Sequence, residues 1–203
     1  MAAIEVFADV ACPFAHAGLQ ALTERRLELG LVDVAVVVRA WPLELVNGKP
    51  LSARATATHA RDLRDQAFPA LFAAADHFEM PASSLPAMEL AAAAYRCDRT
   101  VGEEVSLALR RTFFEDGQDI SRPEVLGTLA DRYGVATSAQ DRRAVMADWR
   151  LGESRGVQGS PHFFVGDRGW FCPSVEITPT EGGHVRVVRR GEIVDLVLRA
   201  GAG

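Results

Sequence analysis

The sequence predicts an α/β fold interrupted by an all-helical insertion. Three features predict it: a β-α-β opening, a long stretch rich in Ala, Leu, Glu and Arg with almost no strand-like run, and a late return of strand-like sequence closed by a helix. "IEVFADV" alternates and is β-prone, so residues 4–8 read as a first strand. Cys12 then stands just before a helix and Pro13 in its first turn, where a missing N–H costs nothing. Ala15, Leu19, Leu22 and Leu29 recur at near-helical spacing and Gly30 supplies a stop, which predicts a helix over 13–29. "VDVAVVVRAW" is a β-branched run ended by Pro42, long enough for a second buried strand parallel to the first.

The composition then changes, and residues 51–155 are expected to form a helical insertion domain between the two parts, 1–50 and 156–203, of a discontinuous α/β domain. Stretches at 52–77 and 84–98 are helical in composition, with Pro69 and Pro81 as interruptions. Val105, Ala108, Leu109, Thr112 and Phe113 follow the i, i+3, i+4, i+7, i+8 pattern of a one-sided apolar stripe before Gly117 breaks it. In "SRPE", Ser121 and Glu124 are spaced for a capping box, leading into the stripe Val125, Leu126, Leu129 and Tyr133. A last insertion helix runs from Ser138 to about Arg155. Strand-like sequence resumes in "GSPHFFVGDRG" and "GHVRVVRRG", and "EIVDLVLRA" reads as a closing helix, so the chain is expected to return to one sheet.

Charge and motif content narrow the function. With 22 basic and 27 acidic side chains the net charge is −5, and no dense Lys/Arg run is present, which argues against a nucleic-acid partner. No run of about eighteen apolar residues exists to span a membrane. The first residues carry Glu5 where a signal peptide would be basic, so a cytoplasmic location is expected. There the three cysteines, Cys12, Cys97 and Cys172, would be free thiols. His59, His77 and His184 are scattered without metal-ligand spacing, and neither a G-x-G-x-x-G nor a phosphate-binding loop occurs, so no metal or nucleotide is expected.

Chemistry centres on Cys12. A helix N-terminus gathers unpaired N–H groups and the positive end of the macrodipole, so the position predicts a thiol pKa below the free value of about 8.5 and hence a nucleophilic thiolate. The competing reading is a small buried hydrophobe. His16, one turn on, is either an auxiliary group that stabilises or protonates the thiolate or a solvent-facing residue. Phe14 is either an apolar rim for substrate or a core contact, and Trp41 either borders the site or plugs the core. His162 is expected to pack away from Cys12, and Asp9 to hold the loop by local hydrogen bonds.

"D-x-x-C-P-F-A-x-x-G" at residues 9–18 resembles the D-x-x-C-P-W-C-x-x-G of the DsbA-like, FrnE-type branch of the thioredoxin superfamily. "FFEDGQDISRPEVLGTLADRYGV" is similar to that branch's helical insertion, and "GVQGSPHFFV" to its cis-proline loop. The resemblance implies a thioredoxin-like fold with the helical insertion, Cys12 as the attacking thiol, and Pro13, Phe14, Ser160 and Pro161 on the substrate-binding side. It also implies that Pro161 is cis and faces the sulfur.

The departure is Ala15, which stands where the second thiol would resolve the mixed disulfide, so net dithiol oxidation by positions 12 and 15 is excluded. Three readings stay open. The first is a monothiol oxidoreductase that acts on small-molecule or peptide disulfides and is resolved by an external thiol such as glutathione. The second is a transferase or isomerase like the kappa-type glutathione transferases and 2-hydroxychromene-2-carboxylate isomerases, which place a serine where Cys12 stands. The third is an inactive thioredoxin-fold binding protein. A homodimer is an open alternative to a monomer, and whether Cys97 or Cys172 reaches Cys12 is left to the structure.

Overall fold

The structure, a computed structural model, describes residues 3–202. Strand β1 (Ile4–Ala8) leads into α1 (Pro13–Glu28), and β2 (Val36–Ala40) pairs with β1 in parallel, with Ile4 opposite Val36. Helices α2 (Leu43–Val46), α3 (Ala53–Gln66), α4 (Leu85–Cys97), α5 (Arg99–Phe114), α6 (Pro123–Tyr133) and α7 (Ala139–Ser154) follow without an intervening strand. The chain then re-enters the sheet through β3 (His162–Val165) and β4 (Arg168–Phe171), forms β5 (Val175–Pro179) and β6 (Val185–Arg189), and closes with α8 (Gly191–Ala202). The four-stranded sheet has the order β2-β1-β3-β4, with β3 antiparallel to both its neighbours.

Alternation along β1 sends side chains to two covered faces. Ile4, Val6 and Ala8 pack with Ala15, Leu19 and Leu22 of α1 and with Val194, Val197 and Leu198 of α8. Phe7 faces the other way, in a cluster with Trp41, Phe164 and the partly buried Trp149 of α7. Trp41 is therefore a core plug, edge-on to Phe7 at 6.4 Å between centroids. Its ring fits only because position 152 of α7 is glycine: a methyl there would overlap the indole.

Several expectations change. The second strand is shorter than its apolar run and lies at the sheet edge, only partly buried. Its outward donors are capped: Val38 N–H donates to the Tyr95 hydroxyl at 2.8 Å and Ala40 N–H to the Asp148 carboxylate at 3.1 Å, which blocks the pairing of further strands. Leu29 is an exposed C-cap rather than a stripe residue. The stretch at 52–77 is interrupted before Pro69 as expected, since Pro69 disfavours helical geometry at Phe68, but no helix resumes between Gln66 and Leu85.

The expected capping box at Ser121 and Glu124 is absent. Asp119 takes both the Ser121 amide at 2.8 Å and its hydroxyl at 2.6 Å, and Arg122 becomes the N-cap. The capping box of the structure is at Ser138, whose amide donates to Asp141 at 2.6 Å. The late strands also differ from expectation. "HFFVGDRGWF" is a hairpin turned at Gly166 and Asp167, and β6 pairs with β5 in a separate two-stranded sheet rather than rejoining the first. That ribbon is fastened to α3, where the Gln66 side chain donates to Val185 O at 2.8 Å and accepts from Val187 N–H at 2.9 Å. No helix among the described residues is long and apolar enough to cross a membrane.

Two helical glycines separate packing from propensity. Gly152→Ala is expected to destabilise the protein by about 1–3 kcal/mol through overlap with Trp41, in spite of alanine's better helix propensity. Gly127→Ala in α6, where nothing lies within 4 Å of the new methyl, is expected to stabilise it by about 0.5–1 kcal/mol. Urea denaturation of the two variants checks both signs.

Candidate active site

The loop between β1 and α1 is organised by Asp9, which is fully buried. Its carboxylate accepts from Ala11 N–H at 2.8 Å, from Leu43 N–H at 2.7 Å and from the Ser84 hydroxyl at 3.1 Å. Its main chain donates to the Ser160 hydroxyl at 2.9 Å and accepts from Arg110 at 3.3 Å. Burial pushes the Asp9 carboxyl up, opposed by those amides, the Ser84 hydroxyl and the Arg110 charge. Arg110 is itself sealed in the insertion, bonded to Ser106 O at 2.8 Å and Ser106 Oγ at 2.7 Å, and burial pulls it down to about 10, so it stays cationic at neutral pH.

Cys12 caps α1 with extended backbone, φ −85° and ψ 118°, and Pro13 occupies the first turn. Its thiol donates to Ser160 O at 3.1 Å, across 148 residues of chain, and the Ser160–Pro161 bond is cis. The structure thus brings Cys12, Pro13 and the Ser160–Pro161 loop together. It also overturns the expected low pKa. The sulfur-bearing residue is only 4% exposed, within a cluster that includes Ala15, Leu19 and Phe163, and burial pushes the thiol above its ordinary value. The Ser160 hydroxyl and the amides of Ala15 and Phe14 pull it back, and the Asp9 charge raises it further. The helix N-terminus acts as expected, but desolvation is larger.

The neighbours divide by the direction they face. Phe14 is half-buried and its ring lies 5.2 Å from that of His59 on α3. His16 is buried, turned into the insertion rather than to solvent: its Nε2 is 2.6 Å from Glu115, and its ring stacks on Phe114 and meets Phe72 edge-on, each at 5.1 Å. Burial lowers its pKa against the pull of Glu115. His162 packs on Phe164 at 4.3 Å and accepts from Gln158 N–H at 3.2 Å. Cys97 is exposed at the end of α4, whereas Cys172 is buried at the end of β4.

Ser84, Arg110 and Glu115 escaped the sequence reading. Arg110 left no trace in the stripe, since it falls outside the arc of Val105, Ala108, Leu109, Thr112 and Phe113, on a flank where an arginine is ordinarily solvated. Behind the Asp9 loop, an open cleft of about 280 Å³ between β2 and helices α4, α5 and α7 is lined by Val38, Met88, Ala91, Tyr95, Arg110 and Asp148; Cys12 does not line it. Among the described residues no group of three or more His, Cys, Asp or Glu is placed to hold a metal ion.

Known structures share this arrangement of sheet and insertion. A putative protein disulfide isomerase from Nitrosomonas europaea is 15% identical, with a TM-score of 0.69 over 98% of this chain and 96% of that one. The cytosolic disulfide reductase DsbM from Pseudomonas aeruginosa, in its structure with GSH, is 14% identical with a TM-score of 0.62 over 98% and 96%. A 2-hydroxychromene-2-carboxylate isomerase is 15% identical with a TM-score of 0.62 over 83% and 87%. At such identities the likeness establishes the fold alone. No curated protein sequence matches. A model of the DSBA-like thioredoxin domain matches residues 3–176, which takes in β1, the Cys12 helix, the whole insertion and the Ser160–Pro161 loop, and the chain therefore belongs to the DSBA-like thioredoxin domain family.

Proposed function

We propose that the protein is a monothiol thiol-disulfide oxidoreductase in which Cys12 attacks a disulfide and an external thiol, glutathione or an equivalent, completes the cycle. The observation that carries this reading is the placement of the Cys12 thiol at the amide end of α1, 3.1 Å from the carbonyl that precedes Pro161. The thiolate displaces one sulfur of the substrate and forms a mixed disulfide; the external thiolate then attacks that bond and carries the second sulfur away. Ala15 has no thiol with which to compete for it. Phe14, with His59 behind it, supplies an aromatic contact for the substrate, and Ser160 and Pro161 a stretch of backbone beside the sulfur. His16 and Trp41 serve by packing.

The raised pKa favours reduction of substrates over their oxidation. A thiolate that is poorly stabilised is a stronger nucleophile and a poorer leaving group, so the form of Cys12 bonded to sulfur is favoured over the free thiolate. Small-molecule and glutathionylated disulfides are the proposed substrates, and the cytoplasm the proposed compartment. The GSH-bound structure of the similar disulfide reductase supports glutathione as the partner thiol.

Burial of the sulfur favours one competing reading, an inert thioredoxin-fold binding protein, and two measurements decide between them. Because only the thiolate reacts, iodoacetamide labelling of Cys12, followed by peptide mapping, is expected to rise about tenfold per pH unit with no plateau up to about pH 9. A labelling rate that levels off below neutral pH contradicts the raised pKa. Wild-type protein with glutathione is expected to reduce a glutathionylated peptide, whereas Cys12→Ser loses at least about a hundredfold of that activity with its Tm nearly unchanged. Equal rates for the two proteins would establish the inert reading.

A further inference from the structure

We propose that Cys172 is a second, non-adjacent resolving thiol that closes a Cys12–Cys172 disulfide across the Ser160–Pro161 loop. The inference rests on the proposed role of Cys12 as the attacking thiol and revises only the resolving step, by placing a second thiol just after β4.

Both cysteines flank the same dipeptide. Cys12 donates to Ser160 O at 3.1 Å, and Cys172 N–H donates to Pro161 O at 3.0 Å. His162 pairs with Phe171 in the antiparallel ladder, so Cys172 stands directly opposite Pro161, where cross-strand Cα atoms lie about 4.5–5.5 Å apart. The Pro161 ring lies 3.4 Å, and the Ser174 hydroxyl 3.2 Å, from where a methyl on Gly18 would stand, so the loop and the segment that follows Cys172 both border α1, the helix that Cys12 caps.

The backbone at Cys172 is unusual as well. Its φ of +45° lies in the left-handed region that glycine adopts freely and a side-chain-bearing residue adopts at a cost, so a residue with a thiol is held at a position where glycine would be relaxed. Burial pushes the Cys172 thiol up to about 12, and negative charge on Cys12 adds to that rise. When Cys12 is bonded to a substrate sulfur its charge is gone, so ionisation of Cys172 is eased in the one state that it would attack.

The steps balance. The Cys12 thiolate attacks a disulfide of the class RS–SG, forming Cys12–S–SG and releasing RS⁻. Cys172 then attacks Cys12 Sγ, the bond to glutathione breaks, and the departing sulfur takes the Cys172 proton and leaves as the thiol. Two cysteine thiols have given two electrons to one disulfide, and two molecules of a low-molecular-weight thiol restore them as they form their own disulfide.

The test treats reduced full-length protein with stoichiometric glutathione disulfide, quenches with acid, and reads intact mass and a non-reducing peptide map over time. Wild-type protein and Cys97→Ser are expected to pass through a glutathione adduct on Cys12 to a Cys12–Cys172 bridge. Cys172→Ser, and Cys172→Ala as a second variant with fold checked by circular dichroism, should keep the adduct at least about tenfold longer. A wild-type adduct as persistent as the variants', or a bridge through Cys97, overturns the inference and leaves the monothiol reading standing. No adduct on Cys12 in any of the proteins overturns both.

Discussion

One carboxyl group that water does not reach holds the Cys12 loop and the segments around it in register. Asp9 joins its own loop at Ala11, the β2–α2 connection at Leu43, the entrance of α4 at Ser84 and, through its amide, Ser160 on a segment 151 residues away. A carboxylate withdrawn from water costs several kcal/mol unless it is paired and hydrogen-bonded. Three donors and the sealed cation of Arg110 are what allow a charge there. Arg110 in turn takes its bonds from Ser106 and the Asp9 carbonyl, so the insertion and the sheet are joined at the point where the Cys12 loop begins.

That same burial decides the electrostatics of the sulfur. A helix N-terminus stabilises an anion by about 0.3–1 kcal/mol at the surface and up to about 2 kcal/mol when partly buried. Withdrawal of an ion from water costs several kcal/mol after relaxation. At Cys12 the amides of Phe14 and Ala15 and the hydroxyl of Ser160 act in the favourable direction, yet the larger penalty sets the sign. Ala15 lies in the same buried cluster as Cys12, Leu19 and Phe163, so the surroundings of the thiol on that side are apolar.

How much was legible in the sequence follows from the range over which each signal acts. Strand β1, helix α1, the helix that begins after Ser138 and the closing helix α8 are written in local sequence pattern, and the structure has them. The Ser121 box failed on equally local grounds, because Asp119 two residues upstream competes for the same amide and hydroxyl. The separate β5–β6 ribbon was not legible, since its place depends on Gln66 and Asp62 of α3 more than a hundred residues earlier. Of the site, Cys12 and the Ser160–Pro161 loop were found as a motif. The sign of the thiol pKa was not, since it depends on how completely distant segments cover the sulfur.

The bond from Cys12 to Ser160 O links chemistry to recognition. A thiol donates to that carbonyl only while it carries its proton; a thiolate or a disulfide sulfur has none to give. In the proposed cycle the carbonyl therefore loses its partner at the step in which Cys12 becomes reactive, and it stays free while a substrate sulfur is attached. Ser160 is only half-buried, so its freed carbonyl is open to water or to the amide of a bound peptide or of glutathione. In the proposed cycle, proton loss, covalent capture and backbone recognition thus meet at a single atom, Ser160 O, beside a thiol whose burial makes it reluctant to ionise.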